Sequence, residues 1–303
     1  MKMRLRKRLT GNTPIDDPMI EFEEKALTKD IDQNETFMKH AFHKCSDLVC
    51  RKIRSQEDTP KRLIVYLGTL ADEKKVSEQI VRPLASDQLD PLVDKKVVTS
   101  KWAEIIRLVL LGYATVFTDG EDYAVCYAVK GSIKRAIEEP SSEPVIRGAK
   151  EGFIERQSVN VGLLRHYIRT PRLKMEDFIV GEMTETKVLV AYIEGLADDF
   201  VIDQLRNKIA AIQIDGVLES GAIEELIVDD PFPIFPHVLA TERPDVVAGS
   251  LLEGRVAVLV DNTPFVLVVP VTFWTGLQGS EDYNLPYPVA TFNRWIRVIF
   301  LFV

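Results

Sequence analysis

The sequence predicts an α/β (α+β) fold made of two subdomains, each with a mixed sheet and helices packed on it. Three observations predict it. Short continuous apolar runs, typical of buried strands, alternate with segments whose apolar residues recur every three or four positions, as in amphipathic helices. A stretch rich in proline, serine and glutamate separates two such sets of elements. The length of 303 residues suits two domains of about 150 residues each.

The first subdomain is predicted at residues 30–137, after a basic and polar tail at residues 1–29. Its pattern gives the order helix, strand, helix, helix, strand, strand. The helices are expected at residues 30–54, 71–81 and 100–112, and the strands at residues 62–70, 114–118 and 123–129. Between the last two strands, Asp119 and Gly120 supply the positive backbone angles that a tight turn requires.

The second subdomain is predicted at residues 153–282, after a linker or hinge at residues 138–152. Helices are expected at residues 158–169, 198–212, 220–227 and 243–254, and strands at residues 178–183, 187–195, 256–260 and 265–270. Asp198 or Asp199 can cap the second of these helices. Pro244 near the start of the last helix and Gly254 just past its end fit the usual asymmetry of helix termini.

The final segment, residues 283–303, has the character of a juxtamembrane stretch that leads into a membrane helix. Arg294, Trp295 and Arg297 directly precede apolar residues at the end of the sequence. Basic and aromatic residues in this position are typical of the cytoplasmic edge of a membrane helix. The apolar run is too short to span a bilayer, which takes about 20 residues. A final core helix is the alternative interpretation.

Composition excludes several classes of function. The net charge of −8 and pI of about 5.2 give no general basic field, so nucleic acid is not an expected partner. The one basic cluster consists of Lys2, Arg4, Arg6, Lys7 and Arg8. It suits either an ordinary tail or a surface of anionic lipid. No apolar stretch follows it as in a signal peptide, and the three cysteines are sparse, so the domain is expected on the cytoplasmic side.

The predicted first helix carries a group of side chains that resembles a metal site. The group consists of His40, His43, Cys45 and Cys50. On a helix, His43 and Cys50 would share a face but lie about 10.5 Å apart along the axis, which is too far for one zinc ion. The sequence therefore predicts no metal site, and no motif points to another cofactor.

Catalytic motifs are also absent from the sequence. There is no GxSxG elbow and no GxGxxG or GxxxxGK[ST] phosphate loop. His166 and His237 have no candidate nucleophile nearby in the sequence. We therefore expect a protein that is not an enzyme.

Charged residues within apolar segments are the candidate contact residues. They are Arg147, Glu151, Glu224, Glu225, Glu242, Arg243, Glu253 and Arg255. Because buried charges must be paired and hydrogen-bonded, we expect arginine–carboxylate contacts among them. Three uses remain open: ion pairs between the subdomains, contacts to another subunit, and contacts to a small ligand.

Several segments of the second half resemble the A subunits of the GerA family, the spore germination proteins of Bacillus-like bacteria. They are EPVIRGAKEGFIE, YIEGLAD, IDGVLESGAIEELIVDDPFPIFP, TERPDVVAGSLLEGRVAVLVDNTPFVLVVPVTFW and SEDYNLPYPVATFNRWIR. Three positions depart from the family pattern: Ala149 replaces a usual proline, Asn262 a common glycine and Asn284 a usual tyrosine. None of these changes removes a charge. Residues 30–130 match only in the order of their elements.

The resemblance implies a domain of a germinant receptor on the core side of the spore inner membrane, in a chain that continues into membrane helices. The implied partners are a transporter-like B subunit, a lipoprotein-like C subunit and other A subunits. The implied role is receptor assembly and signal coupling in nutrient-triggered germination. A two-lobed form similar to solute-binding proteins leaves an alternative, in which a small polar ligand binds in a cleft between the subdomains.

Overall fold

Two five-stranded sheets form the framework of the chain. The computed structural model describes residues 26–53, 61–86, 93, 95–131, 151–228, 237–271 and 287–301. All described strand pairs are antiparallel. The α+β class with two sheet-based units is therefore confirmed, and the sheets expected to be mixed are antiparallel in the described strands. The subdomain boundaries and the likeness to solute-binding proteins stay predictions.

The first sheet has the strand order β1-β2-β4-β5-β3. Its strands are β1 (Leu48–Ile53), β2 (Arg62–Leu67), β3 (Lys96–Thr99), β4 (Tyr113–Thr118) and β5 (Ala124–Ala128). The helices of this unit are α1 (Ile31–Ala41), α2 (Glu73–Lys75), a π-helical segment (Val76–Val81), α3 (Arg82–Ala85) and α4 (Trp102–Val109). Side chains of α1 and α4 pack on one face of the sheet, and the π-helical segment packs on the other.

Strand β2 has no charged residue after Arg62 because both of its faces are buried from Leu63 to Leu67. Leu63 and Val65 belong to the core on the α1 and α4 side, whereas Ile64 and Tyr66 belong to the core on the other side. Successive side chains of a strand point to opposite faces of its sheet. A central strand that is covered on both sides therefore reads as a continuous apolar run, as the sequence indicated.

The second sheet has the strand order β6-β7-β9-β10-β8. Its strands are β6 (Leu173–Val180), β7 (Thr186–Ile193), β8 (Leu239–Thr241), β9 (Val256–Val260) and β10 (Val266–Val269). The helices are α5 (Gln157–Tyr167), α6 (Asp199–Ala210), α7 (Ser220–Ile227), α8 (Pro244–Leu252) and α9 (Tyr287–Leu301). Side chains of α5 and α8 cover one face of the sheet, and those of α6 and α7 cover the other.

The predicted helix at residues 30–54 is wrong in its second half. Helix α1 begins after Asp30, whose carboxylate accepts hydrogen bonds from two backbone amides, and it ends at Ala41. Lys44 then has a positive φ of 55°, which a continuing helix does not allow. The following apolar residues form the edge strand β1. Strands β3 and β8, which the sequence analysis missed, are short edge strands with little apolar pattern.

The ends of the second unit's helices follow the sequence closely. The Asp198 carboxylate accepts a hydrogen bond from the amide of Phe200 and caps α6. Pro244 opens α8. Gly254 follows that helix with φ of +90°, and a Cβ atom there would lie 2.7 Å from the carbonyl oxygen of Leu196. Only glycine suits this position without strain.

Helix α9 corresponds to the predicted juxtamembrane segment. It exposes several large apolar side chains, among them Phe292 and Trp295. Among the described residues, no helix is long and apolar enough to cross a membrane. The start of a membrane helix at this place stays a prediction. Most of the predicted linker lies outside the described residues, which resume at Glu151.

Candidate functional site at the junction of the two sheets

The loop between α1 and β1 connects the edges of the two sheets. We call residues 43–47 the junction loop. The amide of Met175 in β6 donates to the carbonyl oxygen of Lys44 at 2.8 Å, and the amide of Ser46 donates to the carbonyl oxygen of Met175 at 3.0 Å. Cys45 and Met175 therefore pair as in a short parallel bridge. The loop satisfies part of the free edge of β6, which would otherwise be open to other strands.

A buried ion pair anchors this junction. The Arg165 guanidinium at the end of α5 donates from Nη2 to Oδ1 of Asp47 at 2.8 Å and from Nε to Oδ2 at 3.0 Å. The side chains are 0% and 3% exposed. Thr69 also donates its hydroxyl to Oδ2 at 3.0 Å, and Arg165 donates from Nη1 to the carbonyl oxygen of Thr170. The pair thus has the bidentate geometry and extra hydrogen bonds that a buried pair requires.

Electrostatics keep Arg165 charged at this site. Burial by itself would lower the pKa of its guanidinium, but the Asp47 carboxylate more than offsets this effect, so the pKa lies above its ordinary value. The neighbouring Cys45 thiol is also buried, and burial raises its pKa. Cys45 is therefore a protonated packing residue and not an activated nucleophile.

A second group of charges lies at the rim of the junction. The Nζ atom of Lys174, whose side chain is 2% exposed, lies 3.2 Å from Oε2 of Glu194. The ring of His43 lies 3.7 Å from the same carboxylate. Burial and the positive charge of Lys174 lower the pKa of His43. His43 is therefore neutral at pH 7, and Glu194 serves mainly as the partner of the buried lysine.

A hydrogen-bonded network on β6, β7 and α6 continues from the junction. The Glu176 carboxylate accepts from the Tyr192 hydroxyl at 2.6 Å and from Nε of Arg206 at 3.1 Å, and it also contacts Nη2 of Arg206. Lys44 of the junction loop lies 3.9 Å from it. Burial alone would raise the pKa of Glu176, but Arg206 and Tyr192 more than offset this, so the pKa lies below its ordinary value.

Replacing Arg206 with methionine is expected to destabilise the chain in a pH-dependent way. Glu176 has a lowered pKa when folded, so its contribution is complete above its ordinary pKa of 4.5 and is lost as pH falls through the folded value. In Arg206→Met the half-buried carboxylate loses its nearest cation, and the free energy of unfolding at pH 7 should fall by about 1–2 kcal/mol.

Urea titrations at several pH values check this prediction. The difference between wild type and Arg206→Met should shrink as pH falls through the lowered pKa that Glu176 has in the folded wild type, because protonation of the carboxylate removes its interaction with Arg206. Glu176→Gln is the matched variant, because its side chain has no charge to titrate. A difference that stays constant from pH 7 to pH 3 would contradict this account.

The structure places the residues expected to make contacts mainly at the ends of α8 and around it. Arg147 lies outside the described residues. Arg243 is fully buried and pairs with Asp245, with Nη2 2.6 Å from Oδ2. Arg255 pairs with Glu253, with Nη2 2.8 Å from Oε2. The expected arginine–carboxylate contacts thus occur for both arginines. The pairs are local, however, so the proposed use of these two arginines to join the subdomains is wrong for the described contacts.

The remaining candidates differ in burial. Glu242 is buried, Glu151 and Glu224 are half-buried, and Glu225 is exposed. Glu253 is also exposed, so the expectation of buried charges fails for Glu225 and Glu253, whose helical positions face solvent. Binding roles for all eight residues stay predictions. The pair that does join the sheets, Asp47 and Arg165, was not among them.

The helix that was expected to carry His40, His43, Cys45 and Cys50 ends at Ala41, so the helical spacing between His43 and Cys50 does not exist. Cys50 lies on strand β1 and not on the helix that carries His40. Within the ranges the structure describes, no group of three or more His, Cys, Asp or Glu side chains could hold a metal ion. Burial raises the pKa of Cys50 and of Cys126 to about 11, so both thiols are protonated at pH 7.

Comparison with known proteins identifies the family. The family model described as Bacillus/Clostridium GerA spore germination protein matches residues 36–303. The chain belongs to the GerA family. The resemblance noted in the second half therefore extends through most of the first unit, which the sequence analysis assigned only through its neighbour.

Similar proteins include two from Bacillus subtilis (strain 168). The uncharacterized membrane protein YfkQ is 41% identical over 274 residues, which cover 86% of this chain and 53% of that protein. Spore germination protein KA is 36% identical over 272 residues, which cover 85% of this chain and 50% of that protein. The chain thus spans about half the length of these curated relatives.

A solved structure of a GerA-type domain has the same fold. It is the crystal structure of the N-terminal domain of the A subunit of the Bacillus megaterium spore germinant receptor GerK3. The sequences are 30% identical, the TM-score is 0.63, and the match covers 82% of this chain and 98% of that one. The prediction that this chain has the fold of an A-subunit N-terminal domain is confirmed.

Proposed function

We propose that this chain is the N-terminal domain of a germinant receptor A subunit and that it acts in receptor assembly and signal coupling, without catalysing a reaction. Membership in the GerA family and the likeness to the GerK3 domain support this role in germination. We place the domain on the core side of the spore inner membrane. Its proposed partners are a transporter-like B subunit, a lipoprotein-like C subunit and further A subunits.

The buried pair between Asp47 and Arg165 is the observation that carries the coupling role. A signal passes through a domain when the domain has two arrangements that different states of its neighbours favour. The first sheet and the second sheet meet at a pair that resists intermediate positions, because separating it leaves a buried charge without a partner. A displacement of one unit is therefore passed to the other and not absorbed gradually.

Ser46→Asp tests the coupling role without introducing a buried charge. The exposed Ser46 hydroxyl donates to Oδ1 of Asp177 in β6 at 2.9 Å. A second carboxylate beside Asp177 should oppose the junction by about 1 kcal/mol, or roughly a fivefold change in its equilibrium. We expect the rate of nutrient-triggered germination to fall several-fold, while the amount of A subunit in spore membranes stays unchanged.

Ser77→Asp is the matched control. Ser77 is exposed on the π-helical segment of the first unit, so the same change of charge occurs away from the junction. Spores with this variant should germinate as the parent does. Equal germination rates for the two variants, at equal amounts of A subunit, would contradict the coupling proposal.

A small-ligand module is the second candidate function. The observation that favours it is a cavity of about 250 Å³ between α6, α7 and the end of β10. It is mostly apolar, with Gln204, Lys208 and His237 among its lining residues. It lies within the second unit, and not in a cleft between the subdomains. Calorimetric titration with amino acids and sugars tests this function: saturable heats for one class of nutrient would favour it over coupling alone.

A further inference from the structure

The turn between β6 and β7 presents apolar side chains in a fixed position. Residues 181–185 form this turn and lie against residues 214–219, which connect α6 to α7. The amide of Glu182 donates to the carbonyl oxygen of Ile214 at 3.0 Å, and the amide of Met183 donates to that of Asp215 at 2.8 Å. The two segments therefore hold each other along their backbones.

Side-chain hydrogen bonds and close packing also hold the two segments together. The Thr184 hydroxyl accepts from the amide of Val217 at 3.1 Å, and the Thr186 hydroxyl donates to the carbonyl oxygen of Val217 at 2.8 Å. A Cβ atom on Gly181 would lie 3.0 Å from the Cα atom of Gly216. The backbones are thus too close for a side chain between them, and the two segments move as one.

Met183 and Leu218 project from these locked segments. Their exposed fractions are 82% and 80%. Single exposed apolar residues are common on protein surfaces. Here, however, two large apolar side chains stand on adjacent segments. The backbones of these segments cannot turn them inward without breaking the hydrogen bonds between the segments. Because the backbone that carries this pair is already held in place, covering the pair costs side-chain entropy but little further backbone entropy.

Four acidic residues flank this pair along the chain. Glu182, Glu185, Asp215 and Glu219 are all exposed on the same two segments. Within residues 179–187 and 212–220, which the structure describes in full, Lys187 is the one basic residue. The surface, which we call the hairpin patch, therefore combines an apolar centre with a negative rim.

We propose that the hairpin patch binds a protein segment that places apolar side chains between lysine or arginine residues. Its apolar centre fits the apolar side chains, and its rim complements the positive charges. A bilayer with anionic lipid would be repelled by four carboxylates, and a second copy of the same patch would meet like charge. The proposal does not depend on the coupling role of the junction.

Peptide binding to the 303-residue chain tests this proposal. The probe is a fluorescently labelled synthetic peptide, LKLRLKLRL, which alternates apolar and basic residues, and its counterpart has glutamate at every basic position. Fluorescence anisotropy should show saturable binding of the basic peptide that weakens as salt is added. The double variants Met183→Ser/Leu218→Ser and Glu182→Gln/Glu185→Gln should each weaken binding about tenfold.

Matched variants elsewhere on the surface separate this patch from general charge attraction. Phe200→Ser removes an exposed apolar side chain on α6, and Glu73→Gln/Glu78→Gln removes two exposed carboxylates of the first unit. Both should bind the peptide as wild type does. No saturable binding, or equal weakening by patch and matched variants, overturns the proposal.

Two further measurements test whether a membrane or a second copy of the chain binds the hairpin patch. Co-sedimentation uses vesicles of phosphatidylglycerol and phosphatidylcholine, and sedimentation velocity measures self-association. We expect neither to depend on Met183 and Leu218. Vesicle binding lost in Met183→Ser/Leu218→Ser would assign the patch to the membrane, and a dimer lost in that variant would assign it to a second copy. Either result overturns the proposal.

Discussion

Replacing Arg165 with methionine is expected to lower the free energy of unfolding by about 3–5 kcal/mol, because Asp47 would remain charged in a buried place without its cation. Both side chains are almost completely buried, and two hydrogen bonds join them. Arg165 also connects α5 to the loop that carries Thr170. Urea denaturation of the 303-residue chain, followed by circular dichroism, measures the loss.

Two matched variants show whether burial causes this effect. Asp47→Asn/Arg165→Met removes both charges and leaves an acceptor for Thr69, so it should regain most of the lost stability. Lys52→Met removes two ion pairs of 2.6 Å, with Asp32 and Glu35, but the Lys52 side chain is itself 46% exposed, so the change should hardly move the urea midpoint. Equal losses for Arg165→Met and Lys52→Met would contradict the argument from burial.

Much of the second unit could be predicted from the sequence because local signals and tertiary packing agree there. The β9–β10 hairpin, α6, α7 and α8 lie where apolar period and turn residues place them. The strand expected at residues 178–183 instead lies at Leu173–Val180 (β6), and residues 181–183 belong to the turn. Asp198 and Pro244 mark helix starts by chemistry that acts within one turn. Such signals depend only on residues within one helical turn, so they can be recognised in the sequence without knowledge of tertiary contacts.

The error at β1 arose where tertiary contacts override the local pattern. The apolar spacing of residues 42–53 fits a helix, but Leu48 to Ile53 pair with β2 along their whole length. Strand β1 is also the edge of its sheet, so part of its surface is exposed and its apolar pattern is weak. Local propensity does not show which strand a segment pairs with. The helix was therefore predicted to continue through the turn that precedes β1.

The junction could not be predicted for a related reason. Asp47 and Arg165 are 118 residues apart, and their pairing depends on how the two sheets lie together. The predicted helix at residues 30–54 included Asp47 and so concealed the loop that carries it. The search for charges within apolar segments instead found Arg243 and Arg255, whose partners lie two residues away.

Arg243→Glu is expected to unfold the second unit or to destabilise it by at least about 3–5 kcal/mol. Arg243 is fully buried, and its Nε and Nη2 atoms donate to the Asp245 carboxylate at 3.1 and 2.6 Å. The substitution removes this cation and adds a carboxylate beside Asp245 and next to the buried Glu242. A new carboxylate at this fully buried position, beside that of Asp245, cannot remain ionised at low cost. Urea denaturation measures the loss.

Arg255→Glu is the matched control at the other end of α8. It makes the same change of charge beside a carboxylate, but the Arg255 side chain is 14% exposed and that of Glu253 39%, so water reaches the pair and the loss should be smaller, at about 1–2 kcal/mol. Comparable losses for the two variants would contradict the assigned burial of Arg243.

The size of the Arg243→Glu effect also decides how a role in receptor assembly can be tested. A receptor that fails to assemble with Arg243→Glu would follow from an unfolded domain alone, since the residue is buried. Arg243→Lys keeps the charge and removes the two-point contact with Asp245, which makes it the more informative change. If this variant keeps most of the domain's stability but lowers the amount of assembled receptor in spore membranes, Arg243 contributes to a subunit contact. If assembly falls only in step with stability, its role is to hold the start of α8.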